Sequence, residues 1–166
     1  MAYRNKTYIA FDGDRDMGYY RLMTAWSAHE GFDFEIHNAH DLNTARDSSQ
    51  EESIKRQLRE RFANSKLFLV LIGENTRNLT KFVKWEIETA VRLELPIMGI
   101  NINGSRRKDE RCPSALRDQL AVYTPFNQKI ITFGMKNWPV SYLSHKQRGD
   151  TGPFHYNDDI YKRLEL

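Results

Sequence analysis

Six consecutive apolar residues, Leu67-Phe68-Leu69-Val70-Leu71-Ile72, closed by Gly73, constrain this chain more than any other segment. A short run without polar alternation fits a strand buried on both faces, and such strands lie inside parallel sheets covered by helices. A polar stretch follows, then Lys81-Phe82-Val83-Lys84-Trp85-Glu86-Ile87-Glu88-Thr89-Ala90-Val91. Val83, Ile87, Ala90 and Val91 share one helical stripe. On that helix Glu88 is expected to face water. Glu86 is expected at the border of the buried face, near the carboxyl end of the sheet, where open α/β folds bind ligands. There it is either a partly desolvated carboxylate before a cleft or a solvated rim residue.

The rest of the chain supplies partners for that strand. Thr7-Tyr8-Ile9-Ala10-Phe11 is a short β-type run, followed by the polar turn Asp12-Gly13-Asp14-Arg15-Asp16. Tyr19, Leu22, Met23 and Trp26 have helical spacing. Phe32, Phe34 and Ile36 alternate with polar residues, as in a half-covered strand. After a polar loop from Asn38 to Asp47, overlapping Ser-x-x-Glu capping boxes begin at Ser48 and Ser49. They mark the start of a helix with Ile54, Leu58 and Phe62 on one stripe. Further strands are expected at 97–101 and 129–133, with a short helix around Ala115 to Val122. Alternating strands and helices predict an α/β fold: a doubly wound, five-stranded parallel sheet, helices on both faces, centred on 67–72. One domain over 1–166 is expected, with its core at about 6–135 and an irregular C-terminal extension over 136–166. The aromatic residues of that extension are expected to pack on the domain or to fold over the cleft mouth.

Composition narrows the function classes. The chain has 166 residues, 40% of them hydrophobic and 28% charged, as in an ordinary globular domain. Cys112 is the one cysteine, so no internal disulfide forms, which fits a reducing compartment. The first residues carry no apolar stretch of the signal-peptide type, and no apolar run approaches membrane-spanning length. A cytoplasmic protein without a membrane partner is expected. The net charge is +3 and the basic residues are mixed with acids, which argues against a nucleic-acid partner.

Motifs exclude several occupants of such a sheet. The turn after the first strand lacks the Gly-x-Gly-x-x-Gly of dinucleotide cofactor sites, and no Gly-Lys-Ser/Thr phosphate loop occurs. None of the five histidines pairs with Cys or His at metal spacing, so no metal is assigned. Asp12, Asp14 and Asp16 are explained more simply by a polar turn than by a cation site. What remains is a constellation at the strand tips: Phe11 and Asp12, the loop from Asn38 to Leu42, and Glu86. A lone carboxylate among aromatic residues suits cleavage of an N-glycosidic bond, which builds positive charge on a ribose ring and needs no metal.

Ile9-Ala10-Phe11-Asp12, the capped helix from Ser48, Phe68-Leu69-Val70-Leu71-Ile72-Gly73 and Phe82-Val83-Lys84-Trp85-Glu86-Ile87 together resemble the bacterial TIR-like domains. Those of Thoeris antiphage systems are the nearest likeness. The resemblance covers roughly 6 to 103 and weakens through the expected fifth strand. It implies a flavodoxin-like fold and an enzyme that consumes NAD as a substrate, without a cofactor. It implies cleavage of the nicotinamide–ribose bond and formation of a cyclic ADP-ribose-type or related nucleotide that switches on a separate effector. By the family's Trp-x-x-x-Glu pattern, Glu86 is the catalytic residue. Phe82 stands at the Trp position, which keeps a ring for stacking and removes an indole N–H. Phe11 and Asp12 map to the strand-one edge of the NAD pocket, and Asn38, Asp41 and Leu42 to the loop that shapes it. Asp12 and Asp41 are candidate acceptors for ribose hydroxyls. Assembly into a homo-oligomer on activation is a further expectation. Two alternatives remain: a non-catalytic TIR-type adaptor module, and a nucleoside deoxyribosyltransferase-like enzyme.

Overall fold

The structure, a computed structural model, describes residues 6–29, 35–36 and 51–166. The apolar run around Leu69 forms β3, Ser65–Ile72, and lies inside the sheet as its composition requires. Along it the side chains alternate: Phe68, Val70 and Ile72 enter one core, and Leu67, Leu69 and Leu71 enter the other. β3 pairs in parallel with β1, Lys6–Ala10, on one side and with β4, Ile97–Asn101, on the other. β2, Glu35–Ile36, lies outside β1, and β5, Ala121–Pro125, lies outside β4. This order, β2-β1-β3-β4-β5, is the flavodoxin-like one, and every pairing is parallel.

The helices divide between the two faces. α1, Met17–Ser27, and α4, Gln128–Gln147, cover one face through Tyr20, Met23, Ile131, Met135, Trp138 and Tyr142. α2, Glu51–Ala63, and α3, Val83–Arg92, cover the other through Ile54, Leu58, Phe62, Val83, Ile87 and Ala90. Burying both faces of β3 in this way removes nearly all of its apolar surface from water, the largest favourable term in folding. No helix among the described residues is long and apolar enough to cross a membrane.

Two expectations are corrected. Residues 129–133 are not the fifth strand but the start of α4. The Asn127 side chain caps it by accepting from the N–H groups of Lys129 and Ile130. Buried Ile130, Gly134, Trp138 and Tyr142 recur every four residues, so the helical period outlasts the local β-type run. The fifth strand is the segment expected to end a helix. Val122, Tyr123 and Thr124 are β-branched or aromatic, and Ala121 to Thr124 are fully buried between neighbouring strands. The second correction concerns the tail, which is largely regular. α4 runs on to Gln147, β6 (Pro153–His155) adds a sixth parallel strand beyond β5, and α5 (Asp158–Arg163) is capped by Asn157.

Candidate functional site

Glu86 enters through the register of α3. The helix begins after Phe82, whose carbonyl accepts from the Glu86 N–H at 2.8 Å. Val83, Ile87 and Ala90 face the sheet, and Glu88 faces solvent as its position in the stripe requires. Glu86 does not lie at the border of the buried face. Its exposure is 0%, because the carboxylate reaches inward toward β1. There the Tyr8 hydroxyl donates a hydrogen bond to Oε2. The other oxygen, Oε1, is buried and has no hydrogen-bond partner among the described residues.

A carboxylate so placed strongly resists ionisation. Burial raises its pKa from the ordinary 4.5 to about 8, and the hydrogen bond from Tyr8 acts in the opposite direction. The Tyr8 phenol is itself raised well above its ordinary range, first by burial and then by the neighbouring charge of Glu86, so it stays a proton donor. At neutral pH the free protein therefore holds Glu86 mainly in its neutral form. Leaving a buried polar oxygen unpartnered costs roughly 1–3 kcal/mol, and more when it is charged.

The remaining candidates fall elsewhere. Phe82 is half-buried one turn before Glu86 and packs against the same core, with Lys81 Nζ 5.6 Å from its ring. Phe11 belongs to the opposite face of the sheet, where it stacks on Tyr20 with ring centroids 4.5 Å apart. Asp12 is 2% exposed, but its carboxylate is occupied. Oδ1 accepts from the N–H groups of Asp14 and Arg15, and Oδ2 accepts from Asn75 Nδ2 at 3.3 Å. Asp12 thus ties the turn after β1 to the loop after β3. Asn38, Asp41 and Leu42, with the rest of the loop to Asp47, lie outside the described residues.

Sequence reasoning missed two groups. One is Tyr8, whose signal was a phenol within an interior strand: a buried tyrosine needs a partner for its hydroxyl. The other is the burial of Asp16, read from sequence only as part of a polar turn; it stands before α1 without capping it. Its carboxylate lies where a Cβ on Gly73 would sit, so a side chain at the tip of β3 would force Asp16 to move. Asp16 Oδ2 has no partner among the described residues, and burial, then the charge of Asp12, raise its pKa. Among the described residues no three His, Cys, Asp or Glu side chains converge as a metal site.

Compared with known families, residues 8–107 match the family described as Thoeris protein ThsB, TIR-like domain. The match runs from within β1 to beyond β4 and includes Tyr8, Asp12, Phe82 and Glu86. No curated protein matches the chain.

Proposed function

The chain belongs to the TIR-like domain family of Thoeris protein ThsB, and on that premise we propose that it cleaves the nicotinamide–ribose bond of NAD. The product is a cyclic ADP-ribose-type or related ADP-ribose nucleotide, made in the cytoplasm, that activates a separate effector in antiphage immunity. NAD is the substrate, and no cofactor takes part.

One observation carries this reading: Glu86 is a fully buried carboxylate with one oxygen held and the other without a partner among the described residues. As nicotinamide leaves, positive charge develops on the ribose. An ionised Glu86 in a water-poor setting stabilises that charge more than it would in bulk water. The nicotinamide ring of NAD is already cationic, so its arrival favours ionisation of the carboxyl group that burial disfavours. Phe82 offers a ring one turn before Glu86, and Asp12 ties the turn after β1 to the loop after β3. Asn38, Asp41 and Leu42 remain candidates for the substrate loop. Because Glu86 is fully covered, this reading requires its cover to shift before substrate reaches Oε1. Assembly into a homo-oligomer on activation supplies such a shift.

The same full cover favours a second reading, a non-catalytic TIR-type module whose site is filled by its own side chains. NAD consumption separates the two, measured with product identification in extracts of infected and uninfected cells. Turnover that depends on this chain supports the enzyme. No turnover in either extract, with the folded chain present, supports the module.

A further inference from the structure

We propose that Tyr8 is the positioning residue for Glu86: its hydroxyl pins Oε2 and so leaves Oε1 as the oxygen presented to substrate. This rests on the reading of Glu86 as the catalytic carboxylate. Tyr8 pairs in register with Phe68 across β1 and β3 and is fully buried. Its ring stacks on Phe62 at 4.1 Å and against Phe68 at 5.6 Å. Held from both α2 and β3, the phenol has one orientation, and its Oη meets Glu86 Oε2. That is the one hydrogen bond recorded for this carboxylate among the described residues. A phenylalanine would fill the same space, so packing alone does not require the hydroxyl.

The other polar groups near the pair are differently engaged. Arg61, near the end of α2, acts electrostatically on Tyr8, and its Nη1 is buried without a hydrogen-bond partner among the described residues. Lys55 and Arg59 of α2 lie over the ring of Trp85. On β5 the Tyr123 hydroxyl is 3.2 Å from Cys112 Sγ. On α3 itself Glu88 faces water. Tyr8 is therefore the group that both orients Glu86 and favours its charged form against burial. A hydrogen bond to a charged group is commonly strong enough to move a pKa by about one to two pH units.

Tyr8→Phe tests this by deleting the donor and keeping the ring. The titration of the Glu86 carboxyl carbon is followed by NMR in the free protein, with Glu86→Gln identifying its signal. In Tyr8→Phe it is expected to move up by about one to two pH units. The pH profile of kcat/KM for NAD should move the same way, with a roughly 10- to 100-fold lower value at neutral pH and recovery on raising the pH. Placing 3-fluorotyrosine at position 8 keeps ring and hydroxyl, strengthens the donor, and should move the titration down; it serves as well if Tyr8→Phe does not fold. An unmoved titration in either variant, or turnover lowered equally at every pH, overturns the proposal. If the wild type consumes no NAD when activated, the function reading fails, and the carboxyl titration still decides the role of Tyr8.

Discussion

Asp12 and Glu86 are both buried carboxylates, one in the turn after β1 and the other in the first turn of α3. Asp12 receives N–H donors from Asp14, Arg15 and Asn75, which together satisfy both of its oxygens. Among the described residues Glu86 receives one donor, from Tyr8, and its other oxygen has no partner. The fold uses the first as a joint and leaves the second under electrostatic tension. A buried acid with every lone pair answered holds structure together. One left half-answered calls for another explanation, and in the proposed reaction that is the charge developing on the substrate.

The largest expected effect is on stability against pH. The pKa of folded Glu86, about 8, lies above the ordinary 4.5 of the unfolded chain. Between these values the folded state keeps a proton that the unfolded chain has lost. This contribution is fully present below pH 4.5, falls as the pH rises, and is gone above about pH 8. The full span is worth roughly 5 kcal/mol. Urea unfolding at a series of pH values should show the decline in the wild type and a flatter curve in Glu86→Gln. Equal slopes would show that Glu86 ionises normally and remove the contrast with Asp12.

Next is catalysis. Glu86→Gln keeps the shape and removes the charge, so NAD turnover should fall by roughly 100- to 1000-fold, or about 2.7–4 kcal/mol of barrier, with the fold intact. A variant that retains most of the turnover, measured where the wild type is active, breaks the catalytic assignment. Asp12→Ala should do the reverse. It strands the N–H groups of Asp14 and Arg15 and costs about 1–3 kcal/mol of stability, read in the same unfolding assay. Turnover per folded molecule should change little. A large loss of turnover without a loss of stability would make Asp12 part of the site. The smallest effect belongs to Glu88→Gln, which removes an equal charge from the solvent side of α3. Both stability, within about 0.5 kcal/mol, and turnover should stay at the wild-type level.

Local pattern was legible wherever it agreed with tertiary context. The run at Leu67 to Ile72 became the interior strand, and the stripe of α3 set Glu88 outward. Lys129 to Phe133 misled, because five residues of β-type composition carry no record of the cap at Asn127 or of Trp138 and Tyr142 further along the helix. The depth of Glu86 was misjudged for a related reason. Helical angle gives a direction around the axis, not the reach of a side chain toward a partner. That partner, Tyr8, is 78 residues away in the chain, and no local spacing encodes the pair. The strand-one edge illustrates the same limit, since alternation along β1 sends Tyr8 and Ala10 to one face and Ile9 and Phe11 to the other.

β6 has a consequence for the open edge of the sheet. A sheet whose last strand is long and bare invites another chain to continue it. Here the last strand beyond β5 spans Pro153–His155, and its first residue has no N–H to offer. Such an edge is a poor template for a further strand on that side.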